Sequence, residues 1–434
     1  MRHSLLLLAF VLAGCGEDDL GVAGGSGGSS SGGGSGGSAG DAAASGGSTS
    51  SGGSTSSGGS GGAGDSGLGG GAGPGPPSLK RIGDTLDAPS LAESNPKRFV
   101  DIAHHGTKDA YLVVTGSSAI SAVMLDGDGN ALGAPVSLAE TSAWTQGPRV
   151  TRGAGKFLVA WHDNRQNPNQ AELRGRMVSF DGQKAVPEAH DFPIGPPPTR
   201  AEAPPGMAWS ETSKRFLVAW QSVPSTDLRA RLMDASGTLI GQEIVLTSDP
   251  DWQSDPAIAW NSASDEFLVV WDHADTTGAI RARRVKASDG ALVGPEIPLG
   301  PGTHIPAVAY DPGKNQFVAA WWGSGVHARV LGADGNPLGP ALDLMAGYGS
   351  YDGFAMARHS SLGTFAAVLH GATSEDFAAA FSADGSESSV IQATQSPNSI
   401  GNFNPRVAEN PLRKEWMMVT SRGFATLAVQ RLGP

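Results

Sequence analysis

The sequence predicts an all-β protein, a seven-bladed β-propeller whose blades are four-stranded antiparallel sheets. Three observations predict this fold: a segment that repeats about every fifty residues, a hairpin turn at the same place in most repeats, and two chain ends that complement each other. Near-constant repeats of this length are typical of propellers and solenoids. No segment within the repeats has the 3.6-residue apolar period of an amphipathic helix.

The clearest part of the repeat is an aromatic residue followed by an aliphatic run, as in Phe157–Trp161 and Phe216–Trp220. Short apolar runs bounded by turn residues predict buried strands. Seven such segments occur, with leading aromatics 46 to 59 residues apart. These aromatics are Tyr111, Phe157, Phe216, Phe267, Phe317, Phe365 and Trp416. Seven copies predict seven blades.

Each repeat contains three further short segments. A third strand alternates around arginines, such as Arg281 and Arg283, and a brief fourth strand follows a turn such as Asp128-Gly129 or Asp289-Gly290. Asp-Gly is a strong hairpin signal, because a type I′ turn needs two positive φ angles. The first strand often opens with a proline, namely Pro148, Pro205, Pro256, Pro306 and Pro405.

The chain ends predict a closed ring. The seventh repeat stops after its third strand, at residues 427–432, whereas residues 83–93 stand alone before the first repeat. Residues 83–93 closely match 129–140, which form the turn and fourth strand of the first repeat. The N-terminal segment is therefore expected to complete the last blade as its outer strand, which leaves no open sheet edge in the ring.

Residues 1–15 have the pattern of an export signal, with Arg2 ahead of an apolar run from Leu5 to Ala13. The segment Leu12-Ala13-Gly14-Cys15 resembles the lipobox of bacterial lipoproteins. The resemblance implies cleavage before Cys15 and lipid attachment to it, and two or three acyl chains anchor a protein stably. Cys15 is the only cysteine in the sequence. In such lipoproteins an aspartate after the cysteine is the usual signal for retention in the inner membrane. Gly16 stands at that position, so the resemblance implies the outer membrane or the cell surface, on its periplasmic or extracellular side.

Residues 16–78 are expected to form a disordered tether, since 42 of the 58 residues from 21 to 78 are glycine or serine. A chain of this composition cannot bury an apolar core. The predicted organisation is thus a signal peptide with a lipobox at 1–15, a Gly/Ser-rich linker at 16–78 and the propeller at 79–434.

The repeated FLVxW, IxARxV and DG-x-L-G patterns resemble those of exported bacterial propeller-repeat proteins, many of which are lipoproteins with low-complexity tethers. The resemblance covers nearly all of residues 79–434. It implies a fold and a location, and that family has no general reaction to transfer.

The net charge is −12, and no cluster of lysine and arginine occurs. An acidic chain gains little from the counterion release that drives binding to nucleic acids, so nucleic acid is not a predicted partner. Residues 79–434 contain no HExxH or GxSxG motif and no cysteine, and we predict no metal and no cofactor.

Candidate ligand-binding residues come from loops that open on one face of a propeller: those before the first strand and those between the second and third strands. Aromatics, imidazoles and carboxylates in these loops suit stacking on a sugar or contact with a peptide. The alternative is an ordinary solvated loop face. The candidates are Trp144, His162, Asp163, Arg165, Trp252, Asp272, His273, His304, Trp322, Tyr351 and His370.

The sequence favours a membrane-anchored binding module for carbohydrate or protein over an enzyme. One alternative is a carbohydrate hydrolase or lyase acting at the channel mouth, which three or more convergent carboxylates or imidazoles would favour. A funnel lined by Trp144, Trp252 and Trp322 would favour glycan binding. The other alternative is a ligand-free assembly scaffold, which an apolar patch on the rim would favour.

Overall fold

The computed structural model describes thirteen ranges of the chain, within which every regular element is a strand. The described part contains no helix long and apolar enough to cross a membrane. The first strand, β1 Lys80–Ala88, precedes the repeats. The described ranges are 77–88, 99–116, 119–140, 145–167, 170–199, 203–274, 278–302, 304–323, 325–348, 353–371, 375–394, 402–422 and 426–434.

The strands of each repeat follow one another in a single sheet. Blade one contains β2 Phe99–His104, β3 Ala110–Gly116, β4 Ile120–Asp126 and β5 Ala131–Ser137. Blade two contains β6 Thr145–Gly153, β7 Lys156–Asn167, β8 Gln170–Phe180, β9 Ala185–Pro187 and β10 Phe192–Thr199. Blade three contains β11 Gly206–Ser210, β12 Arg215–Gln221, β13 Leu228–Asp234 and β14 Leu239–Val245.

The remaining four blades have the same order. Blade four contains β15 Trp252–Asn261, β16 Glu266–Ala274, β17 Ala279–Lys286 and β18 Leu292–Pro301. Blade five contains β19 Ala307–Asp311, β20 Gln316–Trp322, β21 Val326–Gly332 and β22 Leu342–Leu344. Blade six contains β23 Phe354–Arg358, β24 Phe365–His370, β25 Asp376–Phe381 and β26 Ile391–Gln392. Blade seven contains β27 Asn402–Asn410, β28 Glu415–Arg422 and β29 Thr426–Gly433, together with β1.

The blades form a closed ring around a central channel. The first strand of each blade lies next to the first strand of the following blade, and β27 lies next to β2. All pairings within the blades are antiparallel, as in the pairs β2–β3 and β3–β4. The predicted all-β, seven-bladed propeller is therefore confirmed.

The N-terminal strand closes the last blade as the sequence predicts. β1 pairs antiparallel with β29, from Lys80 opposite Gly433 to Ala88 opposite Leu427, with a register shift between Ile82 and Leu86. The order of this sheet is β1-β29-β28-β27, so the N-terminal segment takes the outer position that the seventh repeat leaves open.

Blade two departs from the regular pattern at its outer edge. β9 and β10 both pair with β8, so the outer position is divided between two short strands. The widest repeat spacing, between Phe157 and Phe216, lies in the same stretch of sequence. The additional residues form β10 and the segments around it.

The hairpin between the third and fourth strands of blade one differs in detail from a type I′ turn. Gly129 has a φ of 92°, whereas Asp128 is not among the residues with positive φ. Gly129 N donates a hydrogen bond to the Asp126 carbonyl, and the Asp126 carboxylate accepts from the backbone N–H groups of Asp128 and Asn130 at 2.9 and 2.8 Å. This is a turn with one left-handed glycine, the usual three-residue hairpin loop.

The apolar cores lie between blades rather than within them. Each of seven buried clusters combines residues of two neighbouring blades. The repeated tryptophans have the same role in each: Trp161 packs with Leu112 of blade one, and Trp271 packs with Leu217 of blade three. Because these rings are fully buried, the periodic tryptophans hold adjacent blades together and are not exposed stacking platforms.

Arginines of the third strands add a repeated polar contact between blades. Arg176 Nη1 donates to the Leu138 carbonyl of blade one at 2.7 Å, and Arg283 Nη1 donates to the Leu246 carbonyl of blade three at 2.8 Å. Each acceptor lies near the fourth strand of the preceding blade. Arg176 and Arg283 therefore satisfy carbonyls that the packed blade edges would leave without partners.

The junction between blades seven and one has its own ion network. Arg413 Nε lies 2.6 Å from Asp109 Oδ2, and Arg413 Nη1 lies 2.5 Å from Asp128 Oδ1. Arg431 Nη1 approaches Asp128 Oδ1 to 2.9 Å. These groups lie opposite the candidate face, where the two ends of the repeat array meet.

Replacing Arg283 with alanine should lower the free energy of unfolding by about 1.5–3 kcal/mol, because a hydrogen bond from a charged donor to a buried carbonyl is lost. Arg231→Ala is the matched control, since Arg231 Nη1 donates to Gly241 within its own blade. Urea unfolding of the full chain, followed by tryptophan fluorescence, measures both. An equal loss in the two variants would contradict a stabilising role for the contact between blades.

Candidate functional site

The structure describes most of the candidate residues but does not bring all of them together. Trp144 and Tyr351 lie outside the described residues, as does Cys15. The others lie near the ends of second strands, in the segment before a first strand, or at the first residue of a first strand. These are His162, Asp163, Arg165, Trp252, Asp272, His273, His304, Trp322 and His370.

His162 has the environment of a structural residue. Its side chain is fully buried, with Nδ1 2.8 Å from Thr199 Oγ1 and Nε2 3.1 Å from the Ala203 carbonyl oxygen. Because a carbonyl only accepts hydrogen bonds, Nε2 carries the proton and donates it. Burial lowers the pKa of His162 to about 4. The imidazole is therefore neutral at pH 7 and joins the end of β7 to the segment after β10.

Asp163 and Arg165 belong to a buried ion network in blade two. Arg165 lies 2.6 Å from Asp163 and 2.8 Å from Asp191, and Arg174 connects Asp191 to Glu172. Asp163 also accepts a hydrogen bond from Trp161 Nε1 at 3.2 Å. These charges satisfy one another within the blade. Asp191 lies in the additional segment of blade two, where no repeat position predicts a partner.

The remaining aromatic and histidine candidates differ in exposure, and Trp144, one of the three residues of the predicted funnel, lies outside the described residues. Trp252 is 38% exposed at the start of β15, whereas Trp322 is half-buried against the apolar core of blades five and six. His370 is buried, with Nδ1 3.4 Å from Asp376 Oδ1 in the adjacent strand of blade six. His273 Nε2 lies 3.7 Å from Asp251 Oδ2 beside Trp252.

The central channel contains charged groups that the sequence analysis missed. A cavity of 230 Å³ is lined by the first strands of all seven blades and by the residues that precede them. Among its lining residues are Asp101, Arg149, Asp255 and Arg406. Three of these four stand directly beside a strand-opening proline: Arg149 after Pro148, Arg406 after Pro405 and Asp255 before Pro256. The prolines that recur at the start of first strands could therefore have pointed to these channel residues.

The charged forms of the two channel arginines, Arg149 and Arg406, are disfavoured by their surroundings. Burial and the nearby charge of Arg149 lower the pKa of Arg406 to about 9, and burial lowers the pKa of Arg149. Arg406 Nη1 donates to the Phe354 carbonyl at 2.8 Å. Arg149 Nη1 and Arg406 Nε have no hydrogen-bond partner among the described residues. Two like charges with unused donors in one cavity favour binding of an anion.

Carboxylates partly balance these arginines. Asp101 Oδ2 accepts a hydrogen bond from Val150 N at 2.9 Å. Burial raises the pKa of Asp255, which faces both arginines and His304. Asp272 is only 2% exposed, and burial raises its pKa to about 6. Ionisation of the buried carboxyl groups at the channel mouth therefore costs free energy.

Asp255, Asp272 and His304 converge at the mouth of the channel. One potential ligand atom from each lies within 4.8 Å of the others, and His304 Nδ1 is 3.4 Å from Asp272 Oδ2. Asp272 and His304 were sequence candidates, and Asp255 was not. The convergence of three such groups is the arrangement that favours chemistry or metal binding over a plain loop surface.

A second cavity, of 610 Å³, opens on the opposite face, where first and second strands are connected. Trp209, Trp260, Arg152 and Glu211 line it. Trp209 Nε1 donates to Glu211 Oε2 at 2.6 Å, and Trp260 Nε1 donates to Asp265 Oδ1 at 2.9 Å. The polar groups of both rings are thus already satisfied, so this groove is the weaker candidate.

Comparison with known proteins identifies the fold. No family model matches the sequence, and no curated protein matches it. The structure is similar to the WD40 domain of Toxoplasma gondii coronin, with a TM-score of 0.50, 10% identity, and coverage of 83% of this chain and 87% of that domain. It is also similar to Chaetomium thermophilum Raptor, with a TM-score of 0.49 and 14% identity over 82% of this chain.

The chain is a seven-bladed β-propeller. It spans only 28% of the Raptor chain, and at these identities the likeness concerns the fold alone. The sequence has a single Trp-Asp dipeptide, Trp271-Asp272, so the propeller lacks a periodic WD signature. Its function must therefore be argued from its own channel.

Acidification should destabilise the propeller through His162. The unfolded histidine, with a pKa near 6.5, takes up a proton as the pH falls, while the folded residue stays neutral until about pH 4. The free energy of unfolding should therefore fall by about 2–3 kcal/mol between pH 7 and 4.5 from this residue. Urea unfolding at both pH values should show a smaller decrease in His162→Gln than in the wild type.

Buried His104, whose pKa burial also lowers to about 4, contributes to the same pH dependence in both proteins. His190→Gln is the control, because His190 is exposed. An unchanged pH dependence in His162→Gln would show that the buried imidazole does not limit acid stability.

Proposed function

We propose that this chain is a lipid-anchored protein of the bacterial outer membrane or cell surface whose propeller binds a protein partner at the mouth of its channel. The fold supports a protein-binding or scaffold module. The resemblance of residues 12–15 to a lipobox supports the anchor, and the Gly/Ser-rich composition of residues 16–78 supports a flexible tether. The bound partner inserts a carboxylate, from an acidic side chain or a C-terminus, into the channel.

The pair of channel arginines is the observation that carries this proposal. Arg149 and Arg406 line one cavity, and each retains a buried N–H group without a partner among the described residues. A carboxylate is small enough for a 230 Å³ cavity and accepts several charge-assisted hydrogen bonds. Its negative charge would also offset the burial and the repulsion from Arg149 that together lower the pKa of Arg406.

A carbohydrate ligand is the second candidate, and the channel mouth supplies the observation that favours it. Asp255 and Asp272 converge there with His304, and exposed Trp252 lies at the start of the same blade. A raised pKa on a buried carboxyl is what a general acid requires, and burial raises the pKa of both aspartates. An acidic sugar could use the same arginines as an acidic peptide.

Titration of the full chain with the peptide N-acetyl-Gly-Gly-Glu-Gly-Gly-amide should release binding heat, whereas the peptide with glutamine in place of glutamate should not. Arg406→Met should weaken binding at least tenfold, because one of two charge-assisted contacts is lost. Arg231→Met is the control, since Arg231 lies on a third strand away from the channel. Isothermal titration calorimetry measures all six combinations of protein and peptide.

Equal binding of the glutamine peptide, or no effect of Arg406→Met, would refute recognition of a carboxylate by the channel. Tri-galacturonate serves as a parallel probe. Binding of this sugar but not of the peptide, or the appearance of new reducing ends, would instead support a carbohydrate as the ligand of this site. If neither probe binds, the proposal that the channel recognises a carboxylate is refuted.

Replacing Cys15 with serine should move the protein from the membrane pellet to the soluble fraction, because the thioether-linked lipid can no longer form. Fractionation of bacterial cells with an antibody to the propeller measures the distribution. Ser4→Ala is the control, since it changes the signal region but not the lipidated residue. Retention of Cys15→Ser in the pellet would contradict the lipid anchor.

A further inference from the structure

The three groups at the channel mouth are supplied by two adjacent blades. β15 and β16 pair with Ser254 opposite Asp272, and a register shift follows between Ser254 and Ala257. The shift contains Asp255, whose φ is 51°, and directs its chain segment toward the channel. His304 precedes β19 of blade five, where its carbonyl accepts a hydrogen bond from Trp322 N at 3.4 Å. The backbone thus fixes all three positions.

Asp272 supplies an unused acceptor to this cluster. The residue is 2% exposed, and its Oδ1 atom accepts no hydrogen bond from the residues that the structure describes. Its other oxygen, Oδ2, lies 3.4 Å from His304 Nδ1. A buried carboxylate oxygen without a partner is costly, and a bound cation is the group that would satisfy it together with the neighbouring imidazole.

We propose that Asp255, Asp272 and His304 bind one divalent transition-metal ion at the mouth of the channel. Two ligands at about 2.1 Å from a metal lie about 3.0–3.4 Å apart when the angle between them is about 90–110°. The spacing of His304 Nδ1 and Asp272 Oδ2 matches this geometry. The third ligand atom, from Asp255, comes from within the same 4.8 Å cluster.

The donor atoms indicate the class of metal. Two carboxylate oxygens and one imidazole nitrogen suit Zn²⁺ or Mn²⁺, whereas Ca²⁺ prefers oxygen ligands alone and more of them. Three protein ligands leave at least one position for an outside ligand, as in catalytic zinc sites. Asp255 also lines the channel cavity, so that position is adjacent to the space assigned to the incoming carboxylate.

The surrounding charges allow a cation to bind here. The nearby negative groups are the carboxylates of Asp101, Asp255 and Asp272, and the nearby positive groups are the guanidinium groups of Arg149 and Arg406. The formal charges of these five side chains sum to −1, so the site has no net positive charge to repel a cation. The metal site does not depend on the proposed protein partner, since its ligands are three side chains of this chain.

A neighbouring cluster, Asp249, Asp251 and His273, provides the internal comparison. Its possible ligand atoms also lie within 4.8 Å of one another. The Asp251 side chain is 49% exposed and its oxygen is 3.7 Å from His273 Nε2, so this rim cluster is more open to water. Asp251→Asn therefore removes one group from the rim cluster without creating a buried defect.

The test is calorimetric titration of the full chain, without a polyhistidine tag and after dialysis against EDTA, with ZnCl₂ and with MnCl₂. One equivalent of at least one ion should bind. His304→Gly and Asp272→Asn should each weaken that binding at least tenfold, because loss of a ligand costs more than loss of an outer-shell partner. Asp251→Asn should leave the affinity unchanged.

His304→Gly keeps the test independent of folding. The His304 side chain is 53% exposed and its φ is 66°, a conformation that glycine adopts without strain. The metal-free variant should therefore melt at the wild-type temperature or above it. Loss of binding in Asp251→Asn but not in His304→Gly, or no binding of either ion to the wild type, would overturn the proposal. Acidic-peptide binding that persists without metal would leave the function proposed above intact.

Discussion

The structure depends on one constraint: a blade has two apolar faces, and each face is buried only by a neighbouring blade. Trp161 and Trp271 show the consequence, since each tryptophan lies in a core shared with the preceding blade. The arginine contacts made by Arg176 and Arg283 follow the same direction around the ring. The stability of one blade is therefore inseparable from the presence of the next, as in other repeat folds.

The same geometry creates the candidate site. Seven first strands meet around the axis, so any charged residue that one of them turns inward shares a narrow space with inward residues of the others. Arg149 and Arg406 come from blades two and seven, yet they line one cavity. Because these groups are enclosed by protein, burial shifts their pKa values. Perturbed charges of this kind mark sites where a ligand gains more by binding than it would at the surface.

The fold could be predicted from the sequence because the same pattern of strands and turns occurs seven times along the chain. The outer position of β1, Lys80–Ala88, followed from the match of residues 83–93 to residues 129–140. The site was less accessible, because side-chain partners depend on three-dimensional proximity. Arg165 looked like a loop residue, but its partner Asp191 lies in an insertion outside the repeat. Asp255 reaches the channel through a strand irregularity that alternation of side chains does not reveal.

The pairing of β1 with β29 also determines when the last blade can form during folding. Thr85 donates a hydrogen bond to Gln430, a residue 345 positions later in the chain. Such a contact is among the most non-local that the chain can make, and non-local contacts slow folding. During synthesis the first six blades can stack in order, but the N-terminal strand has no partner until β29, Thr426–Gly433, has been made. Throughout that time β1 is an unpaired β-edge, through which the nascent chain can aggregate by strand pairing.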